Sequence, residues 1–470
     1  MSIIIPANSA VSGGFDVANS LMFNNADSAY LSRSQGTATL AYKYTLSMWI
    51  KRSKLSSEMY LTGVSSGTVI ELMKFPANNT LEWYNRDAAS NVSVAVTSNV
   101  FQDISAWYHL VFAYDSSQST PATQKKLYIN GVNQTFASNV GLATNAVPGL
   151  NLSGANIKVG AEYSPGYYYD GYMSEVNFID GQALAADSFG EFDEDSGVWK
   201  PIDASGLTFG NNGFYLDFED SANLGNDASG GTDFSESNIA ATDQGLDTCT
   251  NNFPTINQLN YGSSGYTFAE ANTSIIANSG DGWRTTYATI AASSGKWYWE
   301  QKILDASGSS HYIGITDIDV AANTATNEFE NGGVSAYAYR SDDGKKVTSV
   351  SGSTALTSYG TGFTTNNIVG IAMDLDNSKI YFSLNGTWQN SGNPESGATG
   401  TGAAFTITSG KLYTPATATY NTSNEYIYNF GSPYFAISSG NADGNGYGNF
   451  EYTVPSGYFS LNTKNLAEYG

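Results

Sequence analysis

Two antiparallel β-sandwiches in tandem are predicted for this chain by three observations. A strand-turn-strand pattern occurs once in each half: WYHLVFAYD (Trp107 to Asp115) followed by KLYINGV (Lys126 to Val132), and NIVGIAMDLD (Asn367 to Asp376) followed by SKIYFSLNGTW (Ser378 to Trp388). Each second strand alternates at period two and ends in Asn-Gly, Asn130-Gly131 and Asn385-Gly386, the pair that adopts the positive φ of a type I′ hairpin turn. The 470 residues include 32 Tyr, 23 Phe and 8 Trp to populate pleated surfaces and 49 Gly to supply turns, and no long segment has helical periodicity.

In chain order, residues 1–19 read as an N-terminal arm, because Gly13-Gly14 separates the apolar tip Ile3, Ile4 and Ile5 from the first strand near Ser20 to Phe23. Residues 20–220 read as the first sandwich. Its strands include TLSMWIKR (Thr45 to Arg52), TVIELMKF (Thr68 to Phe75), TLEWYN (Thr80 to Asn85), NIKVGAEY (Asn156 to Tyr163) and MSEVNFID (Met173 to Asp180), with GFYLDFED (Gly213 to Asp220) completing a sheet. Gln182 to Phe189 is the one short-helix candidate. The passage 221–265, rich in Gly, Asn, Asp and Ser, reads as a connector. The second sandwich is expected over 266–436, from GKWYWEQKIL (Gly295 to Leu304), SHYIGITD (Ser310 to Asp317), VSAYAYR (Val334 to Arg340), the second hairpin, KLYTPATATY (Lys411 to Tyr420) and YIYNFG (Tyr426 to Gly431). In the first of these strands Trp297 and Trp299 share one face and Tyr298 and Glu300 the other, as in a sheet covered on one side. Residues 437–470 form a less regular C-terminal segment.

Charge narrows the partners. Lys and Arg number 20 against 43 Asp and Glu, a formal net charge of −23, so phosphate backbones and anionic membranes are repelled and nucleic acid is not an expected partner. The single cysteine, Cys249, forms no intrachain disulfide. No apolar run approaches the ~20 residues of a spanning helix, so no membrane insertion is expected. The opening MSIIIPANSAVSGG lacks a basic region, and no signal peptide is expected.

The segments SMWIKR, AWYHLVFAYD with LYINGV, and IKVGAEY leading into DGYMSEVNFIDGQAL resemble the laminin G-like branch of the concanavalin A-type jelly rolls over residues 20 to 192. GKWYWEQKI, HYIGITD, IVGIAMDLDNSKIYFSLNGTW, LYTPATATY and YNFGSPYF are similar to a SPRY domain over 266 to 436. The pair, together with SGGFDVANSLMF near the start and SGYFSLNTKNLA near the end, resembles virion proteins of tailed bacteriophages, particularly those of marine bacteria. That resemblance implies a structural or adhesion protein on the particle, made in the host cytoplasm, with other virion proteins as partners. It does not say whether the protein sits on head or tail.

Catalysis finds little footing in the residues. Some jelly rolls of this superfamily cleave glycans with an E-x-D-x-x-E strand, but at Glu191-Phe192-Asp193-Glu194-Asp195 the last glutamate is replaced by Ser196, and a solvated acidic linker is the plainer reading. The two histidines, His109 and His311, lie in ordinary strands, without a nucleophile motif or enough ligands for zinc. No cofactor is expected. Calcium, which some laminin G-like domains hold, has two weak candidates. In the loop from Asn441 to Gly446 Tyr452 stands where an EF-hand glutamate would be, and the turn Asp374, Asp376, Asn377 is ordinary Asx chemistry.

Binding residues are sought among aromatics. Tyr163, Tyr167, Tyr168 and Tyr169, with Asp170, form the loop YSPGYYYDG, whose rings suit stacking on sugar C–H faces and whose phenols suit hydroxyls; core or interface packing is the alternative. Tyr337, Tyr339, Arg340, Asp342, Asp343 and Trp388 lie near loops of the kind by which SPRY domains bind protein segments, although Trp388 also suits closing the hairpin. Ile3, Ile4 and Ile5 are the anchoring candidates. The leading expectation is a non-enzymatic virion protein displayed on the particle (head fibre, capsid decoration or short tail appendage) making protein or glycan contacts. A host-glycan adhesin comes second and a glycan hydrolase third. A homo-oligomer is expected, built through sandwich faces or arms because no heptad repeat is present.

Overall fold

The computed structural model describes residues 14–164, 166–259, 265–278, 283–306, 310–318, 328–331, 335–350, 353–420 and 423–470. They form two compact units, the first ending at Thr250 and the second running from Asn251 to Gly470. Both are antiparallel β-sandwiches, as the alternating strands predict.

In the first unit one sheet runs Val132–Asn133, Lys125–Ile129, Trp107–Asp115, Lys43–Arg52, Gly171–Asp180, Ser20–Phe23, Gln244–Gly245, with Phe214–Leu216 also paired to Gly171–Asp180. The other runs Phe136–Asn139, Val92–Thr97, Glu82–Arg86, Val69–Phe75, Met59–Ser66, Asn156–Val159, Tyr30–Ser34, Ser235–Ser237. Alternate residues of both sheets meet in one core. Leu46, Met48, Ile50, Leu110, Phe112, Met173 and Phe178 from the first sheet cluster with Met59, Leu61, Met73, Phe75, Trp83, Ile157 and Val159 from the second. The Asn-Gly turn is as expected: Asn130 has φ 46° and Gly131 φ 79°, and Ile129 pairs with Val132 across them.

Two readings of this region are corrected. Gln182 to Phe189 is not a helix. Only Ala186–Ser188 makes a 3-10 turn, and the stretch instead spreads Leu184, Ala186 and Phe189 over Val111 and Ile179 on the back of the first sheet. Nor is 221–265 a connector throughout, since Ser235–Ser237 and Gln244–Gly245 are strands of the first unit. The buried Arg33 helps hold this passage. Its guanidinium lies between the Phe214 and Phe234 rings, 4.9 and 4.8 Å from their centroids, pairs with Asp227 at 2.9 Å and donates to the Thr232 carbonyl at 3.0 Å.

In the second unit one sheet runs Tyr266–Ala269, Ser274–Ala277, Asn424–Asn429, Lys296–Ala306, Ile368–Asp374, Lys379–Leu384, Thr387–Trp388. The other runs Trp283–Tyr287, Tyr413–Tyr420, His311–Asp317, Ala336–Arg340, Lys345–Val350, Ser353–Ser358. Asn385 and Gly386 again have positive φ, 48° and 77°. The sheet carrying Tyr298 and Glu300 is covered on both sides, contrary to expectation. Phe450, Val454 and Tyr458 of the C-terminal segment pack on Tyr298 and Tyr381, and Phe459–Ser460 pairs in parallel with Trp297 and Tyr298. That segment ends in an α-helix, Thr463–Tyr469, capped by the Asn462 side chain accepting from the Asn465 N–H at 2.9 Å.

Candidate ligand-binding face

The second sheet of the first unit turns its other face outward, and pairing register decides what stands there. Direct partners across antiparallel strands share a face, so Val94, Tyr84, Leu72, Gly63, Lys158 and Ser32 form one row across six strands. Val96, Glu82, Lys74 and Tyr60 form the next. Beyond Asn156–Val159 the chain doubles back in a loop closed by the bridge between Ala161 and Tyr168 and by the Glu162 N–H donating to the Tyr167 carbonyl at 3.1 Å. This loop lies across the sheet at Gly63, where a β-carbon would stand 2.5 Å from the Tyr163 nitrogen. Glycine is therefore what admits it.

The crossing sets Tyr163 against Tyr60, Ile70 and Leu72, with Tyr84 at the same cluster, and places the Tyr167 ring 5.8 Å from that of Tyr60. Tyr168 lies 6.3 Å from Tyr30, whose ring carries the Lys158 ammonium at 5.1 Å. Tyr167 is 48% exposed, and the hydroxyls of Tyr84, Tyr163 and Tyr167 have no protein partner among the described residues. The Lys74 ammonium sits 5.4 Å over Tyr60, 2.6 Å from Glu58 and 3.4 Å from Glu82. Burial pushes the Glu58 carboxyl up, but hydrogen bonds from Lys74 and Tyr60 outweigh it and hold the group below its ordinary range. Glu162 is pushed up by burial and then by Glu58. The face thus offers open rings, open phenols and fixed charges of both signs.

Of the tyrosines predicted from the loop, Tyr163, Tyr167 and Tyr168 belong to this face. Tyr169 and Asp170 do not. Tyr169 is fully buried against Phe23 and donates to the Lys51 carbonyl at 3.1 Å, and Asp170 is taken up by the Ser53 hydroxyl. Tyr60, Tyr84, Glu58 and Lys74 were not picked out from sequence. TLEWYN shows an alternating strand, but which of its faces stays open is a tertiary property.

In the second unit Tyr337 and Tyr339 are core residues rather than loop binders. Tyr339 is fully buried and stacks on Phe382 at 5.6 Å, and Tyr337 packs on Phe405 at 5.3 Å. Arg340, Asp342 and Asp343 do lie at the turn after that strand. Arg340 forks onto Asp343 at 2.9 and 2.5 Å, and these hydrogen bonds hold the Asp343 carboxyl well below the usual range. Trp388 is half-buried and lines a groove that includes none of these five. Ile3, Ile4 and Ile5 lie outside the described residues.

Other candidates resolve into local chemistry. Glu191 to Asp195 belongs to a short hairpin, Gly190–Phe192 with Trp199–Pro201, rather than a solvated linker, and Lys200 pairs with Glu191 at 3.4 Å and Asp193 at 3.1 Å. Ser47 Oγ lies 2.8 Å from His109 Nε2, yet the pair is not arranged as nucleophile and base. The Trp199 indole N–H donates to Nδ1 at 2.9 Å, which leaves the proton on Nε2 pointing at the serine, and burial depresses the imidazole to about 3. Asp443 accepts four N–H groups, from Asn445, Tyr447, Ser460 and the Asn465 side chain, at 2.8–2.9 Å. Asp374 accepts from Asn377 and pairs with Lys296 at 3.1 Å, and Asp376 accepts from Gly295. The described residues hold no group of three or more His, Cys, Asp or Glu side chains suited to a metal ion, and no described helix is long and apolar enough to cross a membrane.

Comparison with known proteins agrees with this architecture. Residues 24–188 match the concanavalin A-like lectin/glucanase superfamily and residues 296–432 the SPRY domain. No curated protein matches the chain. Among solved structures it is similar to a protein of Bacteroides ovatus described as carbohydrate-binding, at 17% identity and TM-score 0.33, over 47% of this chain and 58% of that one. It is also similar to the human HERC1 SPRY domain, at 15% identity and TM-score 0.28, over 37% and 96%. The heptameric pentraxin of Limulus polyphemus matches at 16% and 0.28, over 37% and 80%. These partial likenesses carry no ligand across. The chain holds a concanavalin A-like domain and a SPRY domain in tandem.

Proposed function

We propose that the chain is a non-enzymatic binding protein displayed on the surface of a tailed-bacteriophage particle, as head fibre, capsid decoration or short tail appendage, and that its first unit binds carbohydrate. The observation that carries the binding reading is the outward face with Tyr60, Tyr84, Tyr163 and Tyr167 around Lys74. Tyrosine rings give a sugar ring large apolar contact at small entropy cost, while free phenols and the flanking carboxylates serve its hydroxyls. The lectin-containing superfamily match over 24–188 supports it. Placement on the particle is supported by the resemblance of the tandem pair and of SGGFDVANSLMF and SGYFSLNTKNLA to phage virion proteins. No cofactor enters this reading. Attachment is assigned to the arm 1–14 through Ile3, Ile4 and Ile5, with a sister copy or another virion protein as its seat.

A glycan array probed with the chain and with Tyr167→Ala tests the binding claim. Binding that Tyr167→Ala weakens at least several-fold is the expected result, and an array without signal, or signal indifferent to Tyr163 and Tyr167, refutes it. Mass spectrometry of purified particles tests the placement, and a chain lacking residues 1–14 should fold yet fail to incorporate. Reducing sugar released by the wild type and lost in Glu191→Gln would overturn the non-enzymatic reading.

A further inference from the structure

A second binding site lies in the second unit. A groove of about 390 Å3 is lined by Tyr298, Trp388, Asn393, Glu395, Tyr452 and Val454, among others. One wall is the Asn-Gly hairpin and the loop after it. The other is the chain from 452 to 455, beyond the residues that match the SPRY domain.

The walls are fixed in advance. Glu300, buried beneath, accepts from the Tyr298 hydroxyl at 3.0 Å and from the backbone N–H groups of Glu451 and Tyr452 at 3.0 and 2.8 Å, so floor and far wall share one anchor. The Glu395 carboxylate accepts from the Ser456 N–H at 2.9 Å, and the Tyr458 hydroxyl donates to the Pro394 carbonyl at 3.0 Å, clasping the two walls at the other end. The Tyr452 ring lies over Gly386, where a β-carbon would stand 2.5 Å from it. Trp388 meets Tyr298 edge-on at 6.5 Å.

The polar atoms left open decide what fits. The Trp388 indole N–H and the Tyr452 hydroxyl have no protein partner among the described residues. Asn393 spends its oxygen on the Glu395 N–H at 3.0 Å, which leaves its amide N–H groups to donate, and only one Glu395 oxygen is engaged. A guanidinium or ammonium carries donors alone and would set N–H against N–H at Trp388 and Asn393. An anion would face Glu395 with no cation among the lining residues. A ring bearing hydroxyls, each both donor and acceptor, satisfies indole, amide, phenol and carboxylate together and lays its C–H face on the aromatics. We infer that this groove is a site for a neutral sugar, a hexose or N-acetylhexosamine unit of a glycan.

Saturation-transfer NMR on the full chain carrying Tyr167→Ala, which removes the exposed ring of the first unit, tests this with methyl glycosides of glucose, galactose, mannose, N-acetylglucosamine and N-acetylgalactosamine. At least one should show transfer that Trp388→Ala abolishes. Trp388→Phe keeps a ring and, where Trp388→Ala unfolds, serves in its place, weakening affinity about five-fold through the lost donor. Glu395→Gln should change affinity by less than about three-fold, because an amide oxygen still accepts from a sugar hydroxyl. The inference is overturned if no glycoside of the panel shows transfer, or if transfer persists unchanged in both Trp388 variants. It is equally overturned if the groove binds arginine methyl ester and loses it on Glu395→Gln, the behaviour of a cation site.

Discussion

Glu175→Gln should free the first unit from a stability loss that grows with pH. Glu175 is 5% exposed, has φ 50°, and lies where the register of the strand Gly171–Asp180 shifts against its neighbour. Burial is the main cause that lifts its carboxyl from an ordinary 4.5 to about 8. The hydrogen bond from the Tyr215 hydroxyl at 2.7 Å pulls the other way, and Asp217, Glu219 and Asp203 add to the rise. A carboxyl whose pKa is raised on folding holds its proton better in the native state. Its contribution is therefore fully present below about 4.5 and drains away as pH climbs through about 8. At ~1.4 kcal/mol for each pH unit between the two values, the ceiling is about 5 kcal/mol. The amide of Gln keeps an acceptor for Tyr215 and never ionises. The stability advantage of Glu175→Gln should widen by on the order of 4 kcal/mol between pH 5 and pH 8.5 and then level off. Urea unfolding of the full chain at a series of pH values, read by hydrogen exchange on peptides from 171–180, measures this for the first unit alone. A difference flat with pH, or one that widens toward acid, refutes the reasoning.

Three further outcomes follow from the geometry. Arg33→Met should destabilise the first unit by about 3 kcal/mol, because Asp227 is left buried with only neutral donors, and adding Asp227→Asn should recover part of it in a double-mutant cycle of urea unfolding. Gly63→Ala should cost about 1–3 kcal/mol by pushing on the backbone of 161–163 and should weaken glycan-array signal as strongly as Tyr167→Ala, since it displaces Tyr163 and Tyr167 together. Asp443→Ala leaves four N–H groups without their acceptor, so limited proteolysis should cut within 437–470 before the second unit's strands, at a cost of at least ~2 kcal/mol in local stability.

What the sequence by itself determined is what local chemistry and period carry. Asn-Gly at 130–131 and 385–386 announces two hairpins because few residue pairs accept positive φ twice in succession. Period-two runs announce strands whose inward residues, such as Leu110 and Phe112 or Ile380 and Phe382, must be buried. The C-terminal helix was also legible through its Asn462 cap, although seven residues give periodicity little to work on. Only tertiary structure decided which side of each strand stays open. YSPGYYYDG holds five near-equivalent positions, and the crossing at Gly63 sends Tyr163, Tyr167 and Tyr168 outward while Tyr169 enters the core. Tyr337 and Tyr339 look like loop-edge binders until the facing sheet brings Phe382 and Phe405 against them. Tyr298 and Glu300 alternate like residues of a half-open sheet until a segment some 150 residues later in the chain covers them. Alternation reports that a strand has two faces. Which distant part of the chain covers a face depends on contacts whose partners carry no mark of each other in the local pattern.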